Sequence, residues 1–155
     1  MTFKDELVEI LKAELECLKS IKNLSYEKTD VVINNKVEDL DRITKKEVEL
    51  INQMASLEES RLNLLNTWGL DNNTTLSEII DRITDNKEDL IELADELKAN
   101  IEEIQARNSM NKELIQDSLE WIEFNINMMT QAAAPATYDK KKDNKLGQSL
   151  FDKKV

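Results

Sequence analysis

The chain has 155 residues, with 21 Lys+Arg, 32 Asp+Glu, no His and a net charge of −11. That is enough for one domain, and acidic enough to repel nucleic-acid phosphates and anionic membrane. The absent histidine removes the commonest general base and metal ligand, so catalysis, metal and cofactor are not expected.

Only two Gly and one Pro are present. Turns recruit these residues, so their scarcity predicts an all-α fold, an elongated antiparallel helical bundle or coiled coil of long helices. The lone Cys17 fits a reducing cytosol. Met1–Asp5 is not read as a signal peptide, because no unbroken apolar stretch follows it.

Thr2 with Asp5 reads as the N-terminal cap of a first helix. Phe3, Leu7, Ile10, Cys17, Ile21, Leu24 and Val31 follow at gaps of three and four, with Glu14 and Lys28 filling two slots. Val8, Leu11, Leu15 and Leu18 widen this stripe to the face of a bundle helix. Asn34-Asn35 breaks the pattern, and Asn35 with Glu38 is a candidate cap for a second helix.

There Leu40, Ile43, Glu47, Leu50, Met54, Leu57, Arg61, Leu64 and Trp68 keep the spacing of an antiparallel seam, with two charged interruptions. Arg61 is expected to bridge to an acidic residue across that seam. Gly69 ends the helix, and Trp68 is expected to pack against the hairpin end.

Thr75 with Glu78 is a capping box for a short helix carrying Leu76, Ile79, Ile80 and Ile83. Asp85 with Glu88 marks a restart. The seam then runs through Leu90, Leu93 or Ala94, Leu97, Ile101, Ile104, Asn108, Asn111, Ile115, Ser118 and Ile122 to about Gln131. This last helix spans roughly 70 Å against 45–50 Å for each of the first two. About 20 Å of it therefore lacks intramolecular cover.

The overhang includes "SLEWIEFNINMM", residues 118–129. Trp121, Ile122, Phe124, Ile126, Met128 and Met129 cover more than half of the helix circumference, more than one bundle groove buries. Either the early helices fold back over them or a partner covers them, and the second reading is preferred. Leu114, Leu119, Trp121, Ile122 and Met129 are then the expected contact residues. Asn108 and Asn111 either fix the register of the seam or meet a partner's backbone.

Two regions follow: a helical domain, 1–131, and a basic tail, 132–155, with six Lys against three Asp. The body then carries −14. The tail is too polar to bury and is expected to be flexible, with Tyr138 and Phe151 as isolated anchors.

Together the residues resemble the FlgN-type flagellar export chaperones. The likeness rests on "VINNKVEDL", "SLEESR", "WGLDNNTTLSEII", "NSMNKELIQDSLEWI" and the tail "TYD…SLFDKK", in that order. The resemblance implies a cytoplasmic chaperone for hook-associated (hook–filament junction) proteins. Their terminal helical segments would bind its C-terminal half, which adds Asn108, Asn111, Ile115 and Ser118 to the expected client-binding residues. It also implies delivery to the cytoplasmic domain of the export gate, with Tyr138 as the docking residue and Phe151 beside it in the same tail. The competing expectation is a self-associating coiled-coil or adaptor protein.

Overall fold

The computed structural model describes residues 2–133. Four helices follow one another: α1 (Phe3–Ile33), α2 (Val37–Thr67), α3 (Leu76–Arg82) and α4 (Glu88–Ala133). The chain divides into two units, Met1–Asn108 and Ser109–Val155, with the boundary inside α4.

The first unit is a helical bundle. Thr2 Oγ1 accepts from the Asp5 amide while the Asp5 carboxylate accepts from the Thr2 amide, so the expected cap becomes a reciprocal capping box. These bonds hold the Asp5 carboxyl below the usual carboxylate range. α1 ends where Asn34-Asn35 predicts, but by a different device. Asn35 is not the cap of α2. It sits in the left-handed region at φ 54, donates to Val32 O, and is followed by Lys36 donating to Val31 O. This pair of bonds is a Schellman motif, which asparagine tolerates because its short side chain is at ease in that region. The position before α2 is Lys36, with no side-chain cap. Gly69 repeats the motif after α2, at φ 73, with Leu70 donating to Leu65 O at 2.8 Å.

The hairpin of α1 and α2 is antiparallel, closed at its open end by Phe3 and Trp68 in an edge-to-face contact of 5.6 Å. Its charged interruptions match across the seam. Glu14 faces Arg61 at 3.7 Å, and Lys28 faces Glu47 at 3.2 Å. The two pairs stand fourteen positions apart on both helices, in opposite directions. A slip of one turn would break both, so they fix the register as well as offset one another.

Leu7, Leu11, Leu15 and Leu18 of α1 pack with Leu64 and Leu65 of α2, Ile79 of α3, and Leu90, Leu93, Leu97 and Ile104 of α4. A smaller cluster of Leu24, Val31 and Ile43 fills the loop end of the hairpin. α3 opens on the expected box of Thr75 and Glu78. The restart falls at Glu88 after a link through Asn86, which takes φ 50. Lys4 ties this link to α1 by donating to Asn86 O and pairing with Asp89 at 3.1 Å.

Glu14 is buried, and its Oε1 has no hydrogen-bond partner. Burial pushes its carboxyl above the ordinary 4.5, against the opposing pull of Arg61. A carboxyl whose pKa is higher folded than unfolded weakens the fold when ionised, and that penalty fades as pH falls through the folded pKa. Arg61 retains Glu58 at 2.7 Å. Glu14→Gln is therefore expected to raise the melting temperature at pH 8, with the gain disappearing as pH approaches 4.5. Melting curves of both chains across that range check this.

Candidate partner-binding surface

α4 places every site residue predicted within the described part of the chain. Its core-facing row in the first unit is Leu90, Leu93, Leu97, Asn100 and Ile104, all buried. The seam thus passes through Asn100, not through the expected Ile101, which is 42% exposed. Both choices satisfy a gap of three or four, and hydrophobicity alone favours the isoleucine. Asn100 is accommodated by donating to Glu96 O at 2.8 Å. Arg107 stacks over Tyr26 at 3.9 Å and Lys22 pairs with Glu103 at 3.4 Å, holding this part of α4 against α1.

The displaced Ile101 and the exposed Asn108 line one cavity of about 270 Å3 with Leu18, Ile21, Ile51 and Ile104. Asn108 therefore occupies a cavity wall rather than the buried row. Neither Ile51 nor Ile101 was among the expected site residues. The second unit begins at Ser109, within α4. Asn111 is buried there, and Leu114, Ile115, Ser118 and Leu119 are half-buried.

From Trp121 onward the large side chains are exposed: Trp121 68%, Ile122 47%, Phe124 60%, Ile126 55%, Met128 56% and Met129 72%. At 3.6 residues per turn these six positions span about 200° of the helix. The carboxylates Glu113, Asp117 and Glu120 recur at gaps of four and three, forming an acidic row along one border of the arc. Phe124, Ile126 and Met128 were missing from the predicted contact set, although the same apolar count that singled out the overhang contains them.

Such a surface offers wide apolar area, two pliable methionines and a charged edge. It suits the apolar face of a helix laid alongside it. Among the described residues no group of three or more His, Cys, Asp or Glu is placed to hold a metal ion, and no helix is long and apolar enough to cross a membrane. Tyr138 and Phe151, the expected gate-docking residues, lie outside the described residues. So does the expected tail, except that α4 includes the backbone of Ala132 and Ala133.

Residues 1–145 match the family described as FlgN protein. Over 155 residues the chain is 27% identical to the uncharacterized protein YvyG of Bacillus subtilis (strain 168), an alignment that covers 96% of this chain and 97% of that one. No solved structure matches the chain significantly.

Proposed function

The chain belongs to the FlgN family of flagellar export chaperones, and on that premise we propose that it binds hook–filament junction proteins in the cytoplasm, prevents their early assembly and delivers them to the export gate. The observation that carries this reading is the run of exposed apolar side chains from Trp121 to Met129 on one helix. The family binds hook-associated proteins in general. A client segment that polymerises through apolar helical faces aggregates when left bare, and a helix-in-groove contact covers that face without chemistry.

Asn111, Leu114, Ile115, Ser118 and Leu119 precede the exposed run on α4, and with it they form the proposed client strip. Asn108, on the cavity wall of the first unit, is proposed as a further client contact.

Self-association is the competing reading. A second copy brings the same acidic border, and like charges placed together oppose pairing. The test is titration of purified hook–filament junction proteins with the chain, together with its mass in solution. Saturable binding by a monomer supports the chaperone. A stable dimer that binds none of them supports the adaptor.

Delivery is assigned to Tyr138. The family match extends through residue 145 and therefore includes this position, but it stops short of Phe151. The lysines around Tyr138 steer it toward an acidic surface, an effect that salt weakens. Tyr138→Ala is expected to leave client binding unchanged and to lower the affinity of the client-loaded chain for the cytoplasmic domain of the export gate. Equal gate affinity for both chains would move the role to Phe151 or to the client.

A further inference from the structure

The cavity of about 270 Å3 in the first unit is bordered by three helices and holds a single charge. Leu18 and Ile21 of α1, Ile51 of α2, and Ile101 and Ile104 of α4 make its apolar walls. Ile51 and Ile101 are exposed, so the cavity opens to solvent beside them. Glu47 is the only charged residue among those lining it. Gln105 and Asn108 each bring an amide carbonyl acceptor, and Ser25 brings a hydroxyl.

Glu47 Oε1 is shut off from solvent and has no hydrogen-bond partner. Lys28 Nζ lies 3.2 Å from that oxygen, near enough to offset its charge but not aligned to donate to it. A carboxylate has about four acceptor directions, and a shielded one left unmet is costly. Isoleucine walls around a void lose packing contacts as well. Stability alone favours filling such a site with the chain's own side chains. Here apolar walls, a carboxylate and two carbonyl acceptors are left together and open.

We propose that this cavity is a socket for one arginine side chain of a bound client, its guanidinium on Glu47 and its methylene stem along Ile21, Ile51 and Ile101. The inference rests on the chaperone reading, in which Asn108 is a client contact, and names the client group that this wall takes. Arginine combines an apolar stem with a planar, weakly hydrated cation that donates two parallel bonds to a carboxylate. Size permits it, since a cavity of about 150 Å3 already holds benzene. A lysine ammonium is compact and strongly hydrated, so it leaves the apolar walls less willingly matched. An acidic side chain is repelled: residues 1–108 hold 14 Lys+Arg against 25 Asp+Glu, net −11. A purely apolar side chain leaves the carboxylate unmet.

The first arm of the experiment uses no client. The full chain, labelled at its isoleucine methyl groups, is titrated with n-butylguanidinium and with n-butanol, and the Ile51 and Ile101 methyl shifts are followed by NMR. Butylguanidinium is expected to saturate with a Kd on the order of millimolar, about tenfold more tightly than butanol. Glu47→Gln is expected to erase that preference, and Lys28→Gln, which removes the competing cation, to increase it. Both variants break the same ion pair, while Glu14 with Arg61 keeps the hairpin register in each. No saturable shift at Ile51 and Ile101 overturns the proposal. So does equal binding of butanol, or equal weakening in both variants, which assigns the pair to the fold alone.

The second arm titrates a purified hook–filament junction protein with the parent chain and the same two variants. Glu47→Gln is expected to weaken binding about tenfold, and Lys28→Gln not to weaken it. Equal affinity for the parent and Glu47→Gln overturns the socket and leaves the chaperone reading in place. Junction proteins that bind none of the three chains overturn the chaperone reading and, with it, the client as the source of the arginine.

Discussion

Trp121→Ala is expected to weaken binding of a hook–filament junction protein roughly 30-fold, about 2 kcal/mol. Binding energy at helix-in-groove contacts concentrates in a few large side chains, tryptophan foremost, once they are desolvated by the partner. Trp121 is 68% exposed in the free chain, so little of its apolar surface contributes to the fold. Removing it is therefore expected to change stability by no more than about 0.5 kcal/mol. Titration calorimetry with the parent and variant chains reads the first number, and thermal melting by circular dichroism reads the second. Unchanged affinity would remove Trp121 from the client surface. A large drop in melting temperature would mean that the residue belongs to the fold.

The second large effect lies in the core of the first unit. Leu11→Ala is expected to destabilise the first unit by about 3 kcal/mol. Leu11 is fully buried among leucines of α1, α2 and α4 and Ile79 of α3. Truncation loses its transfer free energy and leaves a cavity that neighbours on four helices cannot all close at once. Ile51→Ala on α2 is the matched control. Ile51 is 58% exposed, and its loss is expected to lie within about 0.5 kcal/mol. Urea unfolding followed by circular dichroism compares the two through their midpoints. Equal midpoints for both variants would mean that the four-helix core does not carry the stability of this unit.

The two predictions separate stability, tested at Leu11 on α1, from recognition, tested at Trp121 on α4. In its first part, α4 turns a narrow row of Leu90, Leu93, Leu97 and Ile104 into the core. In its last part the apolar positions multiply around the circumference and are exposed. The site is visible as an excess: more apolar surface than one packing face can use.

Much of this is local and therefore readable from the residues in order. Capping boxes at Thr2 and Thr75, the stop at Gly69 and the scarcity of turn residues together specify an all-helical chain with breaks near Asn34, Gly69 and Asp85. Each depends on neighbours within a few positions, where the chemistry of one side chain decides the backbone. The excess of apolar residues from Trp121 to Met129 is equally local, so the candidate surface could be marked in advance.

What only the tertiary structure decided is which of several equally spaced rows meets a partner. Asn100, not Ile101, enters the core, and Asn108 faces a cavity while Asn111 is buried. A spacing of three or four admits both Asn100 and Ile101, and only the packing of α4 on the other helices of the first unit chooses between them. The charges in the hairpin show the same thing. The spacing predicts a bridge across the seam for Arg61, but its partner Glu14 and the pair Lys28 and Glu47 look like interruptions when each helix is read alone. Folding α2 back on α1 pairs them, because ion pairing depends on distance through space and not on separation along the chain.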